Sequence, residues 1–254
     1  MRKGGVMKKV IVFFGGDSQV GTTMIAQSFA ELLSQRGHRV LFILGSGKYG
    51  DSFIKMGLPH SIDDLKAGIR SGKIEKEELM QSLEMKKNLL ILPGVRNPLM
   101  AKHFPENTYQ ILLESAKEEF DYIVIDGGSE FQLGITISAL NYSDERFFLT
   151  TQQAKSLYRY ALYRKQIFEP LNLKSRLIIN KYLRDPALFL KSDILKFCGV
   201  SEAKVVPYIE YGWQAEMEGV SLMQHKGFYK AIEKLVEEYE PEIKKERRWK
   251  GNFA

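Results

Sequence analysis

From Phe13 to Met24 the chain reads Phe-Phe-Gly-Gly-Asp-Ser-Gln-Val-Gly-Thr-Thr-Met, a glycine-bearing stretch between an apolar run and an amphipathic one. Gly16 and Gly21 have the separation of the two glycines in the phosphate-loop pattern G-x-x-x-x-G-K-S/T. The chemistry of such a loop is anion binding: backbone N–H groups at a helix N-terminus face a phosphate, and the helix dipole favours its charge. Those amides do not depend on side-chain identity. The candidate nucleotide-binding residues are therefore Gly16, Asp17, Ser18, Gln19, Val20, Gly21, Thr22 and Thr23. The Thr23 hydroxyl occupies the position that ligates Mg²⁺ in a nucleotide complex. The same glycines also suit a tight strand-to-helix turn that binds nothing.

Asp126 closes an apolar run, where an unpaired carboxylate would be costly. Read from its place in the chain, it suits a cap on the loop Gly127-Gly128-Ser129. Asn180 follows Leu177-Ile178-Ile179 and also suits an ordinary turn. The segment Tyr158-Arg159-Tyr160-Ala161-Leu162-Tyr163-Arg164-Lys165 mixes aromatic and basic residues. Such interleaving serves nucleic acid in some proteins, but a buried aromatic stripe with a solvated basic face accounts for it more simply. His38, His60, His103 and His225 lack ligand spacing.

The elements that must position these residues are legible as short, continuously apolar runs: Val10–Phe14, Val40–Leu44, Leu89–Leu92, Tyr122–Asp126, Phe147–Thr150, Leu177–Asn180 and Lys204–Pro207. Runs without polar alternation suit a parallel sheet covered on both faces. Amphipathic stretches lie between them. Ile25, Phe29, Leu32 and Leu33 share a helix face ending at Gly37; Tyr109, Leu112, Leu113 and Ala116 share another; Phe228, Ile232, Leu235 and Tyr239 form a last one stopped by Pro241. The expected fold is α/β, a doubly wound, mainly parallel sheet with helices on both faces. Short helices are expected between Lys48 and Leu83.

A length of 254 residues with 44% hydrophobic content suits one domain, here residues 1–241, followed by a basic C-terminal tail, 242–254. One cysteine, Cys198, excludes an intramolecular disulfide and fits a small buried residue in a reducing compartment. No signal peptide or membrane span is apparent. The expected location is cytoplasmic, with peripheral contact at the inner face of the membrane as an option for the tail Lys244-Lys245-Glu246-Arg247-Arg248-Trp249-Lys250. A net charge of +6 permits contact with DNA or an acidic surface and proves neither.

Taken in order, the loop at Gly16, the stretch Phe120-Asp121-Tyr122-Ile123-Val124-Ile125-Asp126-Gly127-Gly128, then Leu177-Ile178-Ile179-Asn180-Lys181 and Val205-Val206-Pro207-Tyr208 resemble the MinD/ParA family of deviant Walker ATPases. The resemblance implies a P-loop NTPase-like fold, ATP or ADP with Mg²⁺ as ligand, and a homodimer. It further implies Asp126 as the Walker B aspartate, holding Mg²⁺ through water, and Asn180 and Pro207 as contacts to the base. The departures are specific. Where the family reads K-G-G-x-G-K-T, the ordinary P-loop lysine position is Thr22 and the signature lysine position is Asp17. Where the family carries D-x-D after the second strand, this chain has Leu44-Gly45-Ser46. A hydrogen bond to a charged group contributes about 1.5–3 kcal/mol, so loss of the lysine weakens binding roughly 10- to 100-fold. Hydrolysis suffers more, because phosphoryl transfer needs positioned positive charge. Lys48 is a candidate replacement.

Within the family, Ser61-Ile62-Asp63-Asp64-Leu65-Lys66-Ala67-Gly68 and Leu89-Leu90-Ile91-Leu92-Pro93-Gly94 look like the TadZ/CpaE branch, atypical members that localise a Tad-type pilus secretion apparatus. This chain shows no counterpart of the receiver-like domain many of them carry. The reading is a degenerate member acting as a dimerising scaffold for a pilus or secretion apparatus. The alternatives are a slow ATP-dependent monomer–dimer switch and a partition-type DNA-binding protein.

Overall fold

A computed structural model describes residues 9–47, 59–86, 89–131, 133–218 and 220–240. Lys48, Gly219, Pro241 and the tail 242–254 lie outside the described residues, so the expectations that rest on them are not addressed by it. The chain alternates strand and helix: β1 (Lys9–Gly15), α1 (Thr22–Gln35), β2 (Val40–Leu44), α2 (Lys66–Ser71), α3 (Lys76–Gln81), β3 (Glu84–Lys86), β4 (Leu89–Leu92), α4 (Thr108–Ala116), β5 (Tyr122–Asp126), α5 (Gly134–Tyr142) and β6 (Glu145–Thr150). It continues through α6 (Ala154–Tyr163), β7 (Arg176–Tyr182), α7 (Lys191–Cys198), β8 (Ala203–Pro207), α8 (Gly212–Glu218) and α9 (Lys226–Val236).

The eight strands form one sheet in the order β3-β4-β2-β5-β1-β6-β7-β8. All neighbours run parallel except β3, which pairs antiparallel with β4. The seven apolar runs of the sequence are the seven parallel strands. β3 escapes notice because Glu-Met-Lys carries no apolar run and forms only an edge.

Alternate residues of each strand feed opposite faces, as the pleat requires. Val10, Val12 and Phe14 of β1 join a core built with α4, α5, α6 and α7, whereas Ile11 and Phe13 join one built with α1 and α9. Both cores are lined by buried apolar side chains, which is why β1 and β5 show no polar alternation. Cys198 ends α7 buried, and burial pushes its thiol up to about 11, so it is a packing residue and no nucleophile.

α1 ends in a carbonyl-capping turn, with Gly37 at φ +92°. Beyond it Arg36 donates to Glu240 at 2.7 Å, and His38 also meets the Glu240 carboxylate. Arg36 reaches Glu233 of α9 as well. The Glu240 side chain is 3% exposed, so these charges lock the end of the last helix segment onto α1. Removing one partner of such a buried cluster strands the others. Glu240→Ala is expected to cost about 3 kcal/mol of stability in urea denaturation; a loss below about 0.5 kcal/mol would mean the cluster is solvated.

Candidate nucleotide-binding site

β1 occupies the centre of the sheet with β5 on one side and β6 on the other. The chain leaves β1 toward β2 and returns on the far side with β6, so the loop after β1 lies at the switch point where open α/β sheets bind ligands. Its floor is continuous with the sheet. Gly15 N–H donates to the Gly128 carbonyl at 2.7 Å, and Gly16 N–H to the Leu149 carbonyl at 2.9 Å.

The following turn is held from β7. Asn180 Nδ2 donates to the Val20 carbonyl at 2.7 Å, and Lys181 Nζ to the Gln19 carbonyl at 2.9 Å. In a trans peptide the N–H points opposite to the C=O. The amides of Val20 and Gly21 therefore face away from β7. Gly21 then begins α1 at φ +87° with no side-chain cap on the helix. The first-turn amides of α1, those of Thr22, Thr23 and Met24, have no intrahelical acceptor by construction. This is the anion-binding geometry expected of the loop.

Gln19 adopts φ +67°, a left-handed conformation uncommon for a side-chain-bearing residue. In the K-G-G-x-G-K-T pattern this position is a glycine. A glycine would adopt this conformation without steric cost. Ser18 and Gln19 are solvent-exposed, while Gly16 and Val20 are buried.

Thr23 Oγ1 donates to Asp126 Oδ2 at 2.5 Å, and Asp126 Oδ1 accepts from the Gly128 amide at 3.1 Å. The loop-cap reading of Asp126 is observed at one oxygen, and the other accepts from the hydroxyl at the position expected to meet magnesium. Among the described residues no group of three His, Cys, Asp or Glu side chains forms a self-sufficient metal site. Thr23 and Asp126 fit a cation held jointly with phosphate oxygens.

Asn180 does not end its strand, because β7 continues to Tyr182 across an irregularity in the pairing with β8. Its amide is also not idle in a turn but spans to Val20. Pro207 ends β8 opposite Tyr182, one strand farther from the loop than Asn180. Lys181, which contacts the loop directly at φ +53°, had no signal in the sequence beyond its neighbour.

Two further features were invisible to pattern. At Leu44-Gly45-Ser46, a Cβ on Gly45 would lie 2.1 Å from the Tyr109 hydroxyl. The tyrosine fills the space where a Gly45 side chain would lie, at the middle position of Leu44-Gly45-Ser46, so this residue must stay without a Cβ. The Tyr109 hydroxyl is buried and makes no hydrogen bond among the described residues. Burial, then the Asp126 carboxylate, pushes its phenol far up, so it is a neutral donor beside Asp126.

The second feature is charge. Asp17, at the signature lysine position, pairs with Arg159 Nη1 at 2.5 Å and Lys155 Nζ at 2.9 Å, both from α6. The Lys155 hydrogen bond foremost, opposed by partial burial and helped by the Ser18 amide and Arg159, holds the Asp17 carboxyl below the usual carboxylate range.

The loop's strain gives a direct check. Gly21→Ala would force a left-handed alanine, costing about 1–2 kcal/mol, and its Cβ would lie 2.4 Å from Asn180 Nδ2. In a double-mutant cycle with Asn180→Ala the steric part vanishes, so the pair is expected to cost less than the sum by at least about 0.5 kcal/mol. Strict additivity would show that the two residues do not touch in solution.

No protein-family model matches the chain, and no curated protein matches it. Solved structures do. A ParA family ATPase from Chlorobium tepidum is 22% identical, with a TM-score of 0.74 over 89% of this chain and 96% of that one. The septum site-determining protein MinD from Pyrococcus horikoshii, complexed with Mg-ADP, is 19% identical, with a TM-score of 0.74 over 91% and 96%. The McdA–ATP complex from Cyanothece is 17% identical, with a TM-score of 0.72 over 92% and 97%. Likeness at these identities establishes architecture, and the architecture is the P-loop NTPase-like fold of the ParA and MinD ATPases.

Proposed function

We propose that the chain binds ATP or ADP with Mg²⁺ at the loop Gly16–Thr23, hydrolyses it slowly or not at all, and acts as a dimerising localisation or scaffold factor. The observation that carries this reading is the loop itself: its carbonyls are tied to β7, its helix is uncapped, and Thr23 and Asp126 are already in contact. The amides would hold the phosphates, and Thr23 with Asp126 would orient the cation. Two of the structural neighbours are complexes with Mg-ADP and with ATP, which supports nucleotide as the ligand class. The absence of lysine at Asp17 and Thr22, and Leu44 and Ser46 in place of the two aspartates, support poor catalysis.

Dimerisation and partner binding are supported by surface. Leu183, Phe189 and Leu190 after β7, and Tyr211, Trp213 and Met217 after β8, are exposed at the same carboxyl edge of the sheet as the loop. Large exposed apolar groups in one region mark an interaction face. A second copy of the chain is the proposed occupant, with a pilus or secretion apparatus of the Tad type as the assembly it would localise. One structural neighbour is a MinC–MinD complex, a precedent on this fold for a bound protein partner. Among the described residues no helix is long and apolar enough to cross a membrane, so attachment to an apparatus at the inner membrane face would be peripheral.

The retained Thr23–Asp126 contact favours a second reading, a slow ATPase that switches between monomer and dimer. Titration calorimetry with ATP and Mg²⁺ tests the proposal. Thr23→Ala is expected to weaken binding about 10-fold through loss of one contact to a charged group. Equal affinity in both proteins would place the nucleotide elsewhere, and phosphate release abolished in Thr23→Ala would select the second reading.

A further inference from the structure

The Asp17 carboxylate is surrounded as a bound anion would be. Arg159 Nη1 lies 2.5 Å from Oδ1 and Lys155 Nζ 2.9 Å from Oδ2, while the Ser18 amide donates to Oδ1 at 2.8 Å. A guanidinium, an ammonium and a backbone N–H thus converge on one oxyanion at the mouth of the loop. The convergence is built, because α6 is anchored where it begins. Ser156 Oγ lies 2.9 Å from Thr150 Oγ1, and the Ser156 carbonyl stands 3.2 Å from where a Gly16 Cβ would be. With Ser156 facing inward, Lys155 and Arg159, four residues apart, project together toward Asp17. Both cations remain reachable from solvent, with side-chain exposures of 66% and 37%, whereas Asp17 is at 14%.

From this we infer that Asp17 is an internal occupant of a phosphate site, and that Lys155 and Arg159 supply from α6 the positive charge that the loop lacks. The inference rests on nucleotide binding at the loop and adds its regulation. A ligand with several phosphate charges outcompetes a single carboxylate for the two cations, whereas a lightly charged anion does not. Displacing Asp17 leaves it facing the ligand, so binding carries a built-in penalty. The site therefore discriminates by charge, favouring di- and triphosphates over monophosphates. It is partly neutralised when empty, which weakens the pull of the two cations on arbitrary anions.

The test is the affinity of the full chain for ATP, ADP and AMP with Mg²⁺ in wild type, Asp17→Asn, Lys155→Ala and Arg159→Ala, with Lys165→Ala as a control for net charge. Asp17→Asn is expected to tighten ATP about 10-fold, Arg159→Ala to weaken it about 10-fold and Lys155→Ala about 3-fold, with Lys165→Ala unchanged. Binding that is equal in all five proteins overturns this inference and leaves the nucleotide reading standing. No binding in wild type and none in Asp17→Asn overturns the nucleotide reading. A ligand-free measurement then still decides the latch. Carbon-detected NMR titration of Asp17 should show its carboxyl rising toward the ordinary range in Arg159→Ala and Lys155→Ala, and an unmoved titration overturns the pairing itself.

Discussion

Two hydrogen bonds from β7 orient the candidate site: Asn180 to the Val20 carbonyl and Lys181 to the Gln19 carbonyl. Because peptide planes are rigid, fixing these carbonyls fixes the opposite amides. A loop of this length that turned its carbonyls inward would repel any phosphate. With the Gln19 and Val20 carbonyls turned toward β7, the opposite amides are the donors that the proposed anion binding would use. The sheet order makes the clamp reachable, since β6 alone separates β7 from β1, and the switch point leaves room above the strand ends. The buried strands are the rigid frame, while the loop holds Gln19 in a left-handed conformation that costs energy for a side-chain-bearing residue.

Charge is distributed differently here from the K-G-G-x-G-K-T pattern. That pattern concentrates cations within the loop, while this chain places an acid there and faces it with a lysine and an arginine from α6. The net local charge of one acid against two bases stays positive. On the other side, Asp126, Thr23 and the neutral Tyr109 phenol form a compact polar group under the loop. Tyr109 packs its hydroxyl against Gly45, just past the end of β2. The proposed affinity without efficient turnover follows from this layout: backbone donors would hold phosphate, while the charge that phosphoryl transfer needs is absent from the loop.

Most of the frame was legible in the sequence because burial on both faces leaves a parallel strand no polar residue to hide behind. Val10 to Phe14 and Tyr122 to Ile125 are nearly fully buried, and both read as strands at once. β3 was not legible, as a three-residue polar edge has neither period nor apolar run. In α6 the aromatic stripe was read correctly at Tyr160, which is buried, and Tyr163, which packs on the core. The spacing implies a solvated basic face, whereas Arg159 holds Asp17 and Arg164, just past α6, bonds the Cys198 and Gly199 carbonyls. Contacts between residues 142 apart leave no local pattern. The Tyr109 hydroxyl failed for a related reason: helical spacing located its ring in the core and said nothing of its oxygen.

The account's central claim is that the loop's own amides bind nucleotide phosphate without a loop lysine. Backbone amide NMR during titration with Mg-ADP tests it most directly. The account predicts shifts concentrated at Gly16 to Thr23, with smaller ones at Asn180 and Lys181. Saturable binding whose shifts bypass the loop, or no shifts at millimolar ligand, would contradict it.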